Sequence, residues 1–189
     1  LEEMHELGFI ACYNHPYWSL QNYDDYKGLK GLFAMEIYNY GCEHDGLYGY
    51  NPQSYDEMLR LGNRLWCLAT DDNHNSYPFD NPLCDSFGGF TMIKAEELTY
   101  SAIMDSIIKG HFYSSMGPEI KLYVEGNELV VKTGPVQKIY VIMDATRCYR
   151  KVAMPGETLT GAKFTLDGNE NYIRVECKDA NGFFANSNA

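Results

Sequence analysis

Apolar residues gather in short runs along the first part of the chain, and several of these runs end in polar residues. The runs typical of strands cover residues 9–15, 31–39, 64–72 and 88–94. Stretches with helical spacing of apolar residues lie between or after them. Strands that alternate with helices predict a parallel sheet or a barrel for this part of the chain.

Two of the helical stretches carry signals for where they begin and end. Ser54-x-x-Glu57 has the pattern of a capping box, in which two side chains bond to the first backbone amides of a helix, and Gly62 is a typical end. Thr99 is expected to cap a second helix that ends at Gly110. These signals predict two short amphipathic helices.

The second part of the chain has a different period. Apolar positions alternate in residues 120–124 and 129–131, which predicts a hairpin. Further strands are predicted at 138–143, 163–166 and 172–177, without helices between them. We therefore expect an α/β chain with a partial β/α barrel in residues 1–117 and an antiparallel β-sandwich in residues 118–189.

The charge of this chain of 189 residues is concentrated in the first part. Residues 1–117 contain 6 Lys and Arg against 17 Asp and Glu, a balance of −11, whereas the remainder has 9 of each. Acidic charge mixed with histidine fits a site that holds cations, although a solvated acidic surface is the commoner explanation. We expect no nucleic-acid partner, because that requires a basic surface, and no membrane partner, because no apolar run approaches about 20 residues.

The cysteines do not form a recognisable metal or disulfide pattern. The chain has 6 of them, and no two have the C-x-x-C spacing of a zinc knuckle. Their spacing is also unlike that of a small disulfide-stapled domain. We therefore expect a reducing compartment such as the cytoplasm.

The strongest chemical signal lies where two strand-like runs end. His15 and Pro16 follow the first run, and Asp72 and His74 follow the third. Side chains two residues apart in a strand point the same way, so Asp72 and His74 are expected to face one point, and a slip in register would select Asp71 instead. A carboxylate and imidazoles suit zinc, iron or manganese. The competing explanations are a hydrogen-bonded turn histidine for His15, and a turn at the entry to a loop, with His74 exposed, for the second motif.

Three further residues are candidates for contacts with a substrate or with the ligands. Glu36 lies in an apolar strand, where a carboxylate needs a partner, and a salt bridge to Arg60 or Arg64 is the alternative. Asn39 follows at the end of the same strand and is a common turn residue. His44 lies in a polar stretch that we expect to be a loop, which could cover the site or simply be solvated.

Taken in order, these motifs resemble the polymerase-and-histidinol-phosphatase (PHP) superfamily, most closely its CehA/McbA-type metallohydrolase branch. The similar pieces are 12–16 (CYNHP), 35–39 (MEIYN), 69–74 (ATDDNH), 110–118 (GHFYSSMGP), 172–176 (YIRVE) and 179–182 (DANG). The resemblance implies a distorted β/α barrel with metal ions at the carboxyl ends of its strands. It implies that His15, Asp72 and His74 are metal ligands, and that Asp72 and His74 act in the hydrolysis of a small phosphorylated substrate.

The chain departs from the family pattern at its beginning. An H-x-H motif is expected before the HP motif, and the residues before His15 contain none. The chain therefore resembles the C-terminal part of such a protein, with an incomplete metal cluster, and an exposed sheet edge that could favour a homo-oligomer. The alternatives are another metal-dependent hydrolase, acting on an ester or an amide, and a binding module without catalysis.

Overall fold

A computed structural model of the protein describes residues 1–144 and 147–189. About 35% of the chain is strand and 18% is helix, which confirms the mixed α/β class. The chain divides into two compact units, Leu1–Ser114 and Ser115–Ala189. The change of pattern near Gly117 lies shortly after this division.

The first unit contains short helices and strands in alternation. Its helices are α1 (Glu2–Glu6), α2 (Tyr23–Tyr26), α3 (Tyr40–Gly46), α4 (Pro52–Arg60) and α5 (Tyr100–Ile108). Its strands are β1 (Cys12–Tyr13), β2 (Ala34–Asn39), β3 (Trp66–Thr70), β4 (Phe90–Ile93) and β5 (Phe112–Ser115), the last of which ends at the division. No helix of the described residues has both the length and the hydropathy to span a membrane.

Strands β1, β2 and β3 form a parallel sheet in that order. Every residue of β2 is buried, as expected for the central strand of a parallel sheet. The first strand is much shorter than the run at 9–15 predicted, because the amide of Phe9 bonds to the carbonyl of Met4 at the end of α1 instead of to a neighbouring strand. Phe9 and Ile10 are consequently exposed.

The described residues contain no closed barrel, because the parallel ladder ends at β3. Beside it, the Thr91 hydroxyl in β4 donates to the carbonyl of Ala69 at 2.9 Å and accepts from its amide at 3.2 Å. The Thr91 side chain thus forms hydrogen bonds with the amide and the carbonyl of Ala69, the two backbone groups that a further strand would otherwise pair with. The partial barrel stays a proposal, and the structure shows three parallel strands flanked by short helices.

Both predicted helices are present, and the signal for the start was right for one and wrong for the other. Thr99 caps α5 by accepting a hydrogen bond from the amide of Ala102, as expected. Helix α4 begins earlier than Ser54, because Asn51 is its cap and accepts from the Ser54 amide at 3.2 Å. Proline at the first helical position fits this start, since its missing amide needs no partner there.

The second unit is built from antiparallel strands. These are β6 (Ile120–Glu125), β7 (Glu128–Val136), β8 (Lys138–Met143), β9 (Cys148–Val152), β10 (Leu159–Thr165), β11 (Ile173–Lys178) and β12 (Phe184–Ser187). The predicted hairpin is confirmed as β6 and β7, with β10 on the other side of β7. The remaining strands pair in the order β12-β11-β8-β9. Apolar side chains of β7, β8 and β11, such as Leu129, Val141 and Val175, form the core.

Candidate functional site

A cavity of about 520 Å³ opens in the first unit beside the carboxyl ends of the parallel strands. Functional groups commonly collect at this edge of a parallel sheet, because the strands all end there. His15, Asp72 and His74, the predicted ligands, line the cavity, and His44 lines it as well. The other lining residues are Trp18, Gly41, Cys42, Asp45, Ser76, Tyr77, Leu83 and Asp85.

Glu36 lies beneath the cavity and joins the ends of all three strands. Its Oε2 accepts from the backbone amide of His15 at 2.9 Å and from the Asn39 amide group at 3.1 Å. Its Oε1 accepts from the Thr70 hydroxyl at 2.7 Å. The Glu36 side chain is therefore satisfied by strand-end donors rather than by the salt bridge considered above, and it is 5% exposed. It positions the site and does not line it.

Asn39 connects Glu36 to Asp72 by hydrogen bonds. Its Oδ1 accepts from the amide of Cys42 and so caps α3, while its Nδ2 donates to Glu36 and to Asp72 Oδ2 at 3.1 Å. The residue is 1% exposed. One carboxylate oxygen of Asp72 is thereby held in place by a buried amide.

His15 lies in a turn after β1. Its backbone has a φ of 35°, in the left-handed region that side chains other than glycine rarely adopt. Its ring Nδ1 lies 2.9 Å from the Ser19 hydroxyl, and the ring packs edge-on against Trp18 at 5.3 Å. These contacts fix the imidazole at the cavity wall.

The strand-parity argument for Asp72 and His74 was wrong, although both residues line the cavity. Strand β3 ends at Thr70, and Asp72 has a φ of 49°, so alternation does not extend to these residues. Asp71 has a different task, because its carboxylate accepts from the amides of Gly88 and Gly89 at 2.9 and 2.8 Å. It also accepts from the amide of Phe87, and so fastens the chain that leads into β4.

Asp85 was missed by the sequence analysis and holds the loop that carries His74. Its Oδ2 accepts from the His74 amide at 2.8 Å, and its Oδ1 accepts from Asn73 Nδ2 at 3.0 Å. The His74 ring lies further away, with Nδ1 at 3.7 Å from Asp85 Oδ2, and the His74 side chain is 69% exposed. The backbone of His74 is thus well anchored, whereas its imidazole is open to solvent.

His44 lies in helix α3 and not in the expected loop. Asn39 at the cap allows residues 40–46 to form this helix. The His44 Nε2 is 3.1 Å from the carbonyl oxygen of Cys84, and the ring packs against Tyr40 at 4.5 Å. His44 therefore reaches the cavity from a helix, whereas His15 and Asp72 reach it from the segments that follow strands.

The thiol of Cys42 also lines the cavity but is a poor nucleophile. Burial raises its pKa to about 12, and the nearby carboxylates of Asp72 and Glu36 act in the same direction. The side chain is therefore a neutral thiol near pH 7, and attack on a substrate requires the thiolate.

The residues that the sequence analysis missed share one property. Trp18, Tyr77 and Asp85 reach the cavity from turns and loops that have no apolar period. The sequence analysis named none of them, because no pattern in the sequence selects individual side chains of these segments. Loop contacts of this kind depend on tertiary structure.

The donor chemistry of the cavity suits zinc, manganese or iron, but its geometry does not form a metal centre. Within the described residues, no group of three or more His, Cys, Asp or Glu side chains could hold a metal ion. His15, Asp72 and His74 share a cavity without converging on one point. The described side chains therefore do not by themselves complete a metal centre, and we derive no chemical step through a metal.

Comparisons with protein-family models, with curated proteins and with solved structures give no match for this chain. The fold and the site describe a mixed α/β protein with a cavity that is lined by histidine and aspartate at the edge of a parallel sheet.

Proposed function

We propose that this chain has the function of a PHP-type, metal-dependent phosphoesterase, which hydrolyses a small phosphate ester. The observation that carries this proposal is that His15, Asp72 and His74 line one cavity although they are far apart in sequence. The motif order described above supplies the family and its barrel. In this proposal Asp72 and His74 act beside the phosphate, with Glu36 and Asn39 as the support beneath them.

The backbone supports a functional role for two of these residues. His15 and Asp72 both have left-handed φ values, 35° and 49°, shortly after the carboxyl ends of β1 and β3. Such conformations cost about 1–3 kcal/mol each and persist where surrounding bonds impose them. Glu36 and Asn39 provide those bonds, which indicates that the positions of His15 and Asp72 are held against a local cost.

The experiment measures metal content and hydrolysis together. After incubation with zinc, manganese or iron, we expect elemental analysis to find bound metal in the unaltered protein and much less in His74→Ala and Asp72→Asn. The matched controls are His5→Ala and Asp80→Asn, which replace exposed residues outside the cavity. Unchanged metal content in both cavity variants would contradict the assignment.

Substrates separate the proposal from its two alternatives. p-Nitrophenyl phosphate, p-nitrophenyl acetate and an anilide distinguish a phosphoesterase from an ester or amide hydrolase, and we expect release only from the phosphate. The absence of a three-residue metal group in the described residues favours the second alternative, a binding module. Protein that holds no metal and releases no product would establish that alternative.

We also propose a cytoplasmic location and a homo-oligomer. All 6 cysteines are free thiols, which supports a reducing compartment. Strand β1 is an edge of the parallel sheet, and Leu7 and Phe9 before it are exposed to 71% and 59%. Light scattering is expected to show a species larger than the monomer, and a monomer at all concentrations would contradict it.

A further inference from the structure

The three histidines of the cavity differ in how their rings are held. His15 Nδ1 faces a serine hydroxyl, which can donate or accept, so that contact allows either tautomer. His74 is 3.7 Å from its nearest carboxylate and mostly exposed, so its ring is held weakly. His44 Nε2 lies 3.1 Å from the Cys84 carbonyl oxygen, which can only accept.

This last contact determines where the His44 ring carries its proton. Because a carbonyl cannot donate, Nε2 must carry the hydrogen, and in the neutral ring Nδ1 then has a free lone pair. The structure records no hydrogen bond at Nδ1 within the described part of the chain. Packing against Tyr40 at 4.5 Å adds a second constraint on the ring plane.

We infer that His44, through Nδ1, is the proton acceptor of this cavity. The inference rests on the proposed hydrolysis and assigns its proton transfer to a residue other than His74. The oxygen of a water molecule forms a bond to phosphorus, and one proton of that water passes to Nδ1. The ester bond between phosphorus and the leaving oxygen breaks, and the imidazolium gives its proton to that oxygen, so that the ring returns to its first state.

The anchor of His44 survives this cycle. Protonation at Nδ1 leaves the Nε2–H in place and strengthens its bond to the Cys84 carbonyl, since hydrogen bonds from charged donors are stronger. The charged and titratable groups on the same cavity wall are Asp45, Asp72, Asp85, His15, His74 and Cys42, with Tyr40 against the ring.

Replacement of His44 by glutamine tests the inference. The amide nitrogen of glutamine can still donate to the Cys84 carbonyl, but the side chain cannot take up a proton at neutral pH. We expect kcat to fall by roughly 10²–10⁴-fold with KM nearly unchanged, and the acid limb of the pH profile to disappear. His5→Gln, which replaces an exposed histidine of α1, is expected to keep the activity and the profile of the unaltered protein. A His44→Gln protein that retains the acid limb would overturn the inference.

Nitrogen NMR of the unaltered protein gives a reading that does not depend on catalysis or on the fold of a variant. We expect neutral His44 to be protonated at Nε2, and inorganic phosphate to shift its ring signals but not those of His5. Neutral His44 protonated at Nδ1, or no response to phosphate, would overturn the inference. Protein that shows the expected signals yet hydrolyses no phosphate ester would contradict the proposed function and leave the placement of Nδ1 intact.

Discussion

At the scale of single residues, Glu36 decides the shape of the site. It is a buried carboxylate in a strand whose other residues are also buried, and it accepts from a backbone amide, a side-chain amide and a hydroxyl. The three donors belong to the carboxyl ends of three strands: His15 follows β1, Asn39 ends β2 and Thr70 ends β3. A charged acceptor that serves several buried donors is costly to remove, because the donors are then left unsatisfied.

Replacement of Glu36 by alanine is expected to lower the free energy of unfolding by about 1.5–3 kcal/mol, the range for hydrogen bonds to a charged group. Chemical denaturation followed by circular dichroism measures this change. Glu36→Gln should lose less, since the amide oxygen can still accept. The control Glu96→Ala removes an exposed carboxylate of the same unit and should change stability little. Equal stabilities for the alanine variants of Glu36 and Glu96 would refute the role assigned to Glu36.

Sequence reasoning found several cavity residues because their signals are local. An imidazole or a carboxylate at the end of an apolar run is visible without a structure, and His15 and Asp72 were found in this way. It could not find the tasks of Asp71 and Asp85, whose partners lie more than ten residues away in an aperiodic loop. It also could not find the left-handed turn at Asp72, which ends the alternation on which the argument for His74 relied.

At the scale of elements, the polar residues before a helix decide where it begins. Asn51 accepts from the amide of Ser54 and donates to the Ser54 hydroxyl at 3.0 Å. Ser54 is thus the partner of a cap and is buried inside the helix. The sequence predicted the existence of α4 but misplaced its start, because serine and asparagine are both good caps and only the Asn51-Pro52 order distinguishes them.

Asn51→Ala is expected to lower the free energy of unfolding by about 1 kcal/mol, since the first turn of α4 loses its side-chain acceptor. Thermal or urea unfolding measures this loss. Gln53→Ala is the matched control, because Gln53 is an exposed amide residue in the same turn and contacts only Glu57 among the side chains recorded for it. A larger loss in the Gln53 variant than in the Asn51 variant would show that the cap is misassigned.

At the scale of the whole molecule, the first unit alternates helices with strands and the second contains antiparallel strands. The spacing of apolar residues along the sequence distinguished the two. Strands without intervening helices predicted the antiparallel second unit, in which β6 pairs with β7 and β8 with β9, each with the next strand in sequence. The extent of the parallel sheet was harder to predict, because its neighbouring strands are joined through long crossovers. The side chain of Thr91 takes the place of a further strand beside β3.

Each unit also contains a buried thiol, and these thiols predict how stability depends on pH. Burial raises the pKa of Cys42 in the first unit and of Cys177 in the second to about 12, from an ordinary value of 9.0. Well below pH 9.0 both states of the protein keep the thiols protonated, so the thiols add no pH dependence there. Above it, the unfolded chain releases these protons and the folded chain does not, which favours unfolding until the pH reaches about 12.

We therefore expect the unfolding midpoint in denaturant to fall as the pH rises above 9.0, the ordinary thiol value, and part of this fall to come from Cys42 and Cys177. The measurement compares the unaltered protein with Cys42→Ala and Cys177→Ala over the same pH series. Each variant starts with a lower stability because of the small cavity it creates, but its stability should decline less steeply with pH. Cys148→Ala, which replaces a thiol that is only half-buried, is the control for the loss of a cysteine side chain as such. Parallel slopes for all four proteins would mean that the buried thiols ionise as readily in the folded state as in the unfolded one.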